Sequence, residues 1–282
     1  MRRAEFERFR ELIYQTAGIA LSDEKAALLE SRLSKRLRAL GLSNEEEYLR
    51  IIELDQDPRE LINLIDAIST NTTNFYREPR HFEMLSGIFE QWRETHKEIR
   101  LWCAAASSGE EPYTLAITAS ESLDLRRTKF RMLATDISTK ALKKALSGTY
   151  TQKQVENVPK PLLYKYFVRQ TENGQKYYSV CQELRSLILF KRFNLASFPY
   201  PLKGPFDAVF CRNVMIYFDT AMRQKVVDAL YALLRPGGYL FIGHSENLLG
   251  LKHEFETIGS SVFQKRGARR RYVEIDKFRN EG

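Results

Sequence analysis

Ile99-Arg100-Leu101-Trp102-Cys103-Ala104-Ala105-Ala106-Ser107-Ser108-Gly109-Glu110-Glu111-Pro112 passes from a stretch apolar enough to be a buried strand, through a loop of small residues, into the first turn of a helix. That order opens a nucleotide-binding α/β unit. Further on, Phe130-Arg131-Met132-Leu133-Ala134-Thr135 reads as a second strand that delivers Asp136 at its carboxyl end. A carboxylate placed there can accept hydrogen bonds from both ribose hydroxyls of an adenosine.

The loop's composition narrows the choice of adenosine compound. A dinucleotide site needs a G-x-G-x-x-G pattern, so that backbone N–H groups approach a pyrophosphate at the positive end of a helix. Here only Gly109 is present, and Glu110 and Glu111 stand where phosphates would go. Two carboxylates about 4 Å from an anion would each cost on the order of 1 kcal/mol even in bulk water, and more once desolvated. A phosphate ligand is therefore disfavoured. S-adenosylmethionine, which has no phosphate and carries ammonium and sulfonium cations, suits these acids. Taken singly, Glu110 or Glu111 reads equally well as a helix N-terminal acid facing the macrodipole.

The chain has 282 residues, 43% of them hydrophobic, enough for one large domain or two smaller ones. No apolar run approaches the roughly 20 residues that span a bilayer. The charged start, Met1-Arg2-Arg3-Ala4-Glu5-Phe6-Glu7-Arg8, is unlike a signal peptide, so a cytoplasmic protein is expected. Cys103, Cys181 and Cys211 are read as packed thiols. The four histidines, His81, His96, His244 and His253, show no H-x-x-H spacing and no C-x-x-C occurs, so no metal is expected.

The net charge of +8 is unevenly spread. Residues 1–68 hold 11 Lys+Arg against 14 Asp+Glu, yet Ser31 to Leu42 contains Arg32, Lys35, Arg36 and Arg38 with no acid. On a helix, Leu29, Leu33, Leu37 and Leu40 would face inward and leave those four cations outside. Such a stripe is either a solvated face or a docking surface for an acidic partner. Lys265, Arg266, Arg269, Arg270 and Arg271 form a second cluster in a polar tail expected to fray.

Apolar periodicity predicts helices over Phe6–Thr16, Asp23–Ala39, Ser43–Ile52 and Pro58–Ile68, with Ser22 or Asp23 and Ser43 as N-caps and Gly41 as a stop. Residues 1–68 thus read as a helical domain, and 69–282 as an α/β domain. Strands are expected at 99–104, 130–135, 187–191, Phe206–Cys211 and Tyr239–Gly243, with helices at 110–122, 138–146 and 219–234. The alternation implies a parallel sheet with crossover helices. Asn173-Gly174, flanked by Tyr166-Phe167-Val168 and Tyr177-Tyr178-Ser179-Val180, signals a hairpin in a small antiparallel excursion near 166–192.

Polar groups also gather where expected strands end. Arg212-Asn213 follows Phe206–Cys211, Asn194-Leu195 follows the 187–191 strand, and Leu233-Leu234-Arg235-Pro236-Gly237-Gly238 turns from helix into strand. Singly these are weak signals. Composition alone makes Thr70-Asn71-Thr72-Thr73-Asn74-Phe75-Tyr76-Arg77 a polar loop. Its order, with Ala104 through Tyr113, Ala134-Thr135-Asp136-Ile137, Phe206 through Phe218 and Gly243-His244-Ser245-Glu246-Asn247, closely resembles the chemotaxis receptor glutamate methyltransferases of the CheR type. The resemblance covers nearly the whole chain.

The resemblance implies a Rossmann-like class I S-adenosylmethionine-dependent methyltransferase fold with an N-terminal helical domain and a small β-subdomain. The implied reaction moves a methyl group to glutamates of methyl-accepting chemotaxis receptors, leaving S-adenosylhomocysteine. It assigns Asn71, Thr73 and Arg77 to the donor site, with Arg77 near the transferring methyl. Glu111, rather than Glu110, contacts the methionyl part, and Asp136 the ribose. Asn194-Leu195 and Arg212-Asn213 supply the adenine-side and methionyl-side loops, and Tyr217 faces the acceptor. His244 lies in a family motif, with a structural role expected. The acidic receptor coiled coil makes Arg32, Lys35, Arg36 and Arg38 a candidate docking stripe, and in some members a receptor tail pairs with the β-subdomain.

Because a glutamate with a pKa of about 4.3 is ionised at neutral pH, no general base is required, and positioning is expected to carry the chemistry. Arg77 and Tyr217 are expected to hold the non-attacking oxygen, since a tight bidentate pair would quench the nucleophile. The competing reading is a nucleic-acid methyltransferase, suggested by a pI near 9.3. Against it, the loop after the fourth strand is Arg212-Asn213-Val214-Met215 rather than Asn/Asp-Pro-Pro-aromatic, and Cys211 follows Phe210 rather than a proline. A non-catalytic receptor-binding scaffold is disfavoured because every donor-lining and acceptor-facing position holds a functional residue type.

Overall fold

Helical periodicity near the N-terminus becomes four helices, α1 (Arg3–Ala17), α2 (Ala26–Leu40), α3 (Glu45–Glu53) and α4 (Pro58–Ile68), in a computed structural model that describes residues 1–54 and 57–267. Phe6, Phe9, Ile13, Leu29, Leu33, Leu37, Tyr48 and Leu49 close a core of their own. Leu40, expected inside, is 37% exposed, because α2 stops at Gly41 with φ +69° before completing another buried turn. The cap of α3 lies one residue beyond the expected Ser43. The Asn44 carboxamide accepts the Glu47 N–H, and Glu47 reaches back to the Ser43 N–H.

The remaining elements are α5 (Arg80–Trp92), β1 (Glu98–Cys103), α6 (Glu110–Ser122), β2 (Lys129–Asp136), α7 (Thr139–Ser147), β3 (Thr149–Thr151), α8 (Lys160–Tyr166), β4 (Phe167–Glu172), β5 (Gln175–Val180), α9 (Gln182–Arg185), β6 (Ile188–Arg192), β7 (Phe206–Phe210), α10 (Thr220–Leu233), β8 (Leu234–Phe241), β9 (Phe255–Gly259) and β10 (Val262–Lys265). Seven strands form one sheet in the order β6-β2-β1-β7-β8-β10-β9. The first five run parallel, and β10 is antiparallel to both neighbours. This is a Rossmann-like sheet. Strand order reverses between β1 and β7, and ligands in open α/β sheets bind at such a switch point, beyond the strands' carboxyl ends. Both faces are covered by apolar cores, which is why β7 is buried at every residue and reads as a continuous apolar run.

The small sheet, β3-β5-β4, differs from its expected extent. It starts at Thr149 and ends at Val180, whereas 188–192 pairs with β2 in the large sheet. β4 is an edge strand with five of its six residues exposed. The hairpin β9–β10 and helix α5 had no sequence expectation, and β8 begins earlier than expected, carrying Pro236-Gly237-Gly238 within the strand. Of the C-terminal basic cluster, Lys265 ends β10, and Arg269, Arg270 and Arg271 lie outside the described residues.

The α2 stripe divides in two. Arg36 pairs with the buried Glu60, and Arg32 donates to the carbonyls of Ala67 and Ser69 at 2.9 and 3.0 Å, tying α2 to the end of α4. These two cations are engaged inside the domain. Lys35 and Arg38 are exposed and have no carboxylate partner among the described residues.

Burial would raise the Glu60 carboxyl, but Arg36 and Asn63 hold it below its ordinary value. Arg36→Ala would strand that carboxylate and is expected to cost about 3 to 5 kcal/mol in urea unfolding. Because the folded-state pKa is depressed, the pair's contribution is present above the ordinary carboxylate range and is lost as pH falls through the folded value. Acid titration of the parent's stability, set beside that of the variant, checks this sign.

Candidate active site

The loop after β1 is held by conformations its small residues permit. Ser107 has φ +47° and Gly109 φ +98°; a Cβ on Gly109 would stand 2.7 Å from the Tyr150 hydroxyl and 2.9 Å from the Ala145 Cβ. This close approach brings the N-terminus of α6 beside the end of β2. There Asp136 accepts from the Ser107 N–H at 2.8 Å through Oδ2 and from the Ser138 N–H at 2.9 Å through Oδ1. Each oxygen keeps a lone pair for a further donor. Burial pushes the Asp136 carboxyl up, against the pull of those two bonds.

Glu110 and Glu111 diverge. Glu110 accepts from the Ser108 hydroxyl at 2.6 Å and from the Gln154 carboxamide at 3.3 Å, and burial raises its carboxyl. It does not line the cavity. Glu111 lines the cavity, accepting from the Cys103 thiol at 3.2 Å and from Arg212 Nη1 at 2.6 Å. The Arg212 side chain is fully buried; Nη2 donates to the Arg77 carbonyl at 2.6 Å and to Glu78 Oε2 at 2.9 Å. Arg212 Nε is buried and has no hydrogen-bond partner among the described residues.

The linker is threaded into the α/β domain. Phe75 is fully buried against Tyr150 and Phe167, the Asn71 carbonyl accepts from the Ser107 hydroxyl at 3.0 Å, and the Tyr76 N–H reaches the Thr114 hydroxyl. Arg77 is half-buried and donates to the Thr72 carbonyl.

One cavity of about 260 Å³ is lined by Asn71, Thr73, Arg77, Glu111, Asp136, Asn194, Leu195, Arg212, Asn213 and Tyr217, every donor-site and acceptor-site residue expected from the sequence. Asn194 also bonds within the protein. Its amide group donates to the Thr16 carbonyl at 2.6 Å and its oxygen accepts from the Ala196 N–H, so the carboxamide ties the helical domain to the sheet. One amide hydrogen and one oxygen lone pair of Asn194 stay free of these bonds. The helical domain supplies Ile19, Leu21, Lys25 and Leu28 to the wall. It also holds Tyr217, whose carbonyl accepts the Ala20 N–H at 2.8 Å beside a bridge between Ile19 and Phe218. Lys25, absent from the sequence expectation, puts its ammonium 5.8 Å from the Tyr217 ring centre.

Two further carboxylates were missed from sequence. Glu246 accepts from the backbone N–H groups of Asn213, Val214, Met215 and Gly243 at 2.6 to 3.0 Å, fixing the turn that leads to Tyr217. A Cβ on Gly243 would press on the ends of the Asn213 and Glu246 side chains, which would have to shift to admit it. Glu78 joins the linker to Arg212 and, with His81 and His244, brings three ligand-type atoms within 4.8 Å. The Arg212 guanidinium on the same Glu78 oxygen opposes a metal cation there. The His244 ring packs edge-on to His81 at 4.8 Å and its backbone N–H bonds Glu78, which gives it a structural part. Burial, first, and Arg212 depress the His81 pKa to about 4, so it is neutral at physiological pH.

Glu246→Gln would set an amide N–H₂ against a cluster of backbone donors. An unfolding loss of about 2 kcal/mol or more is expected, and an unchanged urea midpoint would remove Glu246 from the turn's support.

The all-alpha domain of the CheR methyltransferases matches residues 4–69, and the CheR methyltransferase SAM-binding domain matches residues 71–264. The chain is 43% identical over 260 residues to a chemotaxis protein methyltransferase of Salmonella typhimurium, covering 92% of this chain and 89% of that one. It is 41% identical over 260 residues to the Escherichia coli protein of the same name, covering 92% and 90%. It is 40% identical over 261 residues to chemotaxis protein methyltransferase 2 of Pseudomonas aeruginosa, covering 93% and 92%. With both parts of the molecule matched and relatives aligned over most of their length, the chain belongs to the CheR methyltransferase family.

Proposed function

We propose that the chain transfers the methyl group of S-adenosylmethionine to side-chain carboxylates of glutamates on chemotaxis receptors, forming methyl esters and releasing S-adenosylhomocysteine. The observation that carries this reading is the convergence of Asp136, Glu111, Arg212, Arg77 and Tyr217 on one cavity at the sheet's switch point. Nothing in that cavity favours a nucleic-acid substrate, and no helix of the described residues is long and apolar enough to cross a membrane.

The donor's chemistry fits the wall. Asp136 offers a lone pair on each oxygen to the ribose hydroxyls, and Glu111 presents a carboxylate to the ammonium. The orphaned Arg212 Nε suits the methionyl carboxylate. When bound, S-adenosylmethionine supplies an electrophilic sulfonium methyl. The protein's own task is orientation, because the acceptor arrives ionised. Arg77 has no carboxylate partner among the described residues and meets the acceptor, with Tyr217 lining the same cavity. Lys35 and Arg38 are the docking cations, facing an acidic receptor coiled coil.

The decisive assay incubates the enzyme with radiolabelled S-adenosylmethionine and receptor-containing membranes, then adds mild alkali. Volatile methanol identifies an ester; label that stays with protein refutes glutamate methylation. Arg77→Ala is expected to abolish transfer while calorimetric affinity for S-adenosylhomocysteine changes by less than about threefold. Losing the charge-assisted ribose bonds in Asp136→Ala should weaken that binding by about 10- to 100-fold. Charge reversal at Lys35 and Arg38 should slow receptor methylation and flatten its salt dependence. An unchanged salt profile would rule out docking through α2.

A further inference from the structure

Tyr76 and Glu78 have φ of +56° and +58°, in the left-handed region that such side chains seldom occupy. Backbone strain of this kind persists only where the surroundings over-determine it. Arg77 lies between the two. The Glu78 carboxylate supplies the constraint: Oε2 accepts from Arg212 Nη2 at 2.9 Å and from the His244 backbone N–H at 3.2 Å, and Oε1 faces the Asn213 carboxamide at 3.4 Å. The same Arg212 nitrogen donates to the Arg77 carbonyl at 2.6 Å. One guanidinium nitrogen therefore grips both the carbonyl of Arg77 and the side chain that follows it. Glu78 does not line the cavity.

We propose that Glu78 is a positioning residue for methyl transfer, clamping the strained Tyr76–Glu78 segment onto Arg212 so that the Arg77 side chain enters the cavity in one direction. The inference rests on the assignment of Arg77 to the acceptor. Charge distribution agrees with it. Glu78 faces Arg212 on the side away from Glu111, so two carboxylates share that buried cation and neither is spent on Arg77. The Arg77 guanidinium, bonded among the described residues only to the Thr72 carbonyl, stays available to an incoming carboxylate. A glutamine at this position keeps the acceptor oxygen and the shape but loses the ion pair.

The test uses the full chain with S-adenosylmethionine and receptor-containing membranes. Glu78→Gln should lower kcat about tenfold or more while donor KM and S-adenosylhomocysteine affinity stay within about twofold. In an Arg77→Lys background, itself slower than the parent, the same change should cost less than about threefold, because the two act through one group. A shift in donor KM with kcat unchanged overturns the inference, as does an equal kcat loss in both backgrounds. Parent-like turnover by Arg77→Lys alone sinks the assignment of Arg77 instead, and the inference with it. Should Glu78→Gln fail to bind the product nucleoside, Glu78→Asp takes its place. With its carboxylate one methylene short, that variant should bind normally yet turn over at least about threefold slower, and parent-like turnover would overturn the role.

Discussion

A buried guanidinium organises the site. The Arg212 side chain is removed from solvent at the end of β7, where desolvating a cation is expensive unless charge and hydrogen bonds compensate it. Compensation comes from Glu111 at the start of α6, from Glu78 in the linker and from the Arg77 carbonyl. The ring of Phe82 adds a face at 5.5 Å. These partners come from the linker, from α6 and from α5, so satisfying one cation brings three segments together at the end of β7. The cavity opens where they meet.

The other carboxylates repeat this economy with backbone donors. Asp136 collects two N–H groups and Glu246 four, and in each case the bonded loop forms a wall of the cavity. Preorganised walls matter for a reaction whose nucleophile arrives charged, because the enzyme contributes orientation more than proton transfer. The helical domain takes part in the same construction. Thr16 holds Asn194, Ala20 holds Tyr217, and Tyr14 donates to Asp219 at the cap of α10. A domain whose sequence suggested a docking stripe is also a wall of the cavity.

The parts of the fold legible in the sequence were those with local causes. Pro58–Ile68 was found at its bounds from its apolar stripe, and the structure adds an Asp57 cap and a first-turn proline at its start. The β9–β10 hairpin was not, because its strands have only five and four residues and their burial does not alternate, and β3 has only three residues. The α2 cations show the limit for side chains. Arg32, Lys35, Arg36 and Arg38 look alike on a helical wheel, yet Arg36 meets Glu60 and Arg32 meets the end of α4, and no periodicity contains that information.

Sequence by itself determined the α/β architecture, the family and the identities of the residues around the cavity, because strands, tight glycine turns and family motifs are written in contiguous residues. Tertiary structure decided what those residues do to each other. Arg212 and Glu111 are 101 positions apart, and Arg212 and Glu78 134. The division of labour between Glu110 and Glu111, the use of the Asn194 carboxamide as a domain tie and the grip of Glu78 on the Arg77 segment appear only in the folded chain. Hydrogen bonds and ion pairs of such range depend on the paths of every intervening element, and a linear pattern records the groups but not which of them come into contact.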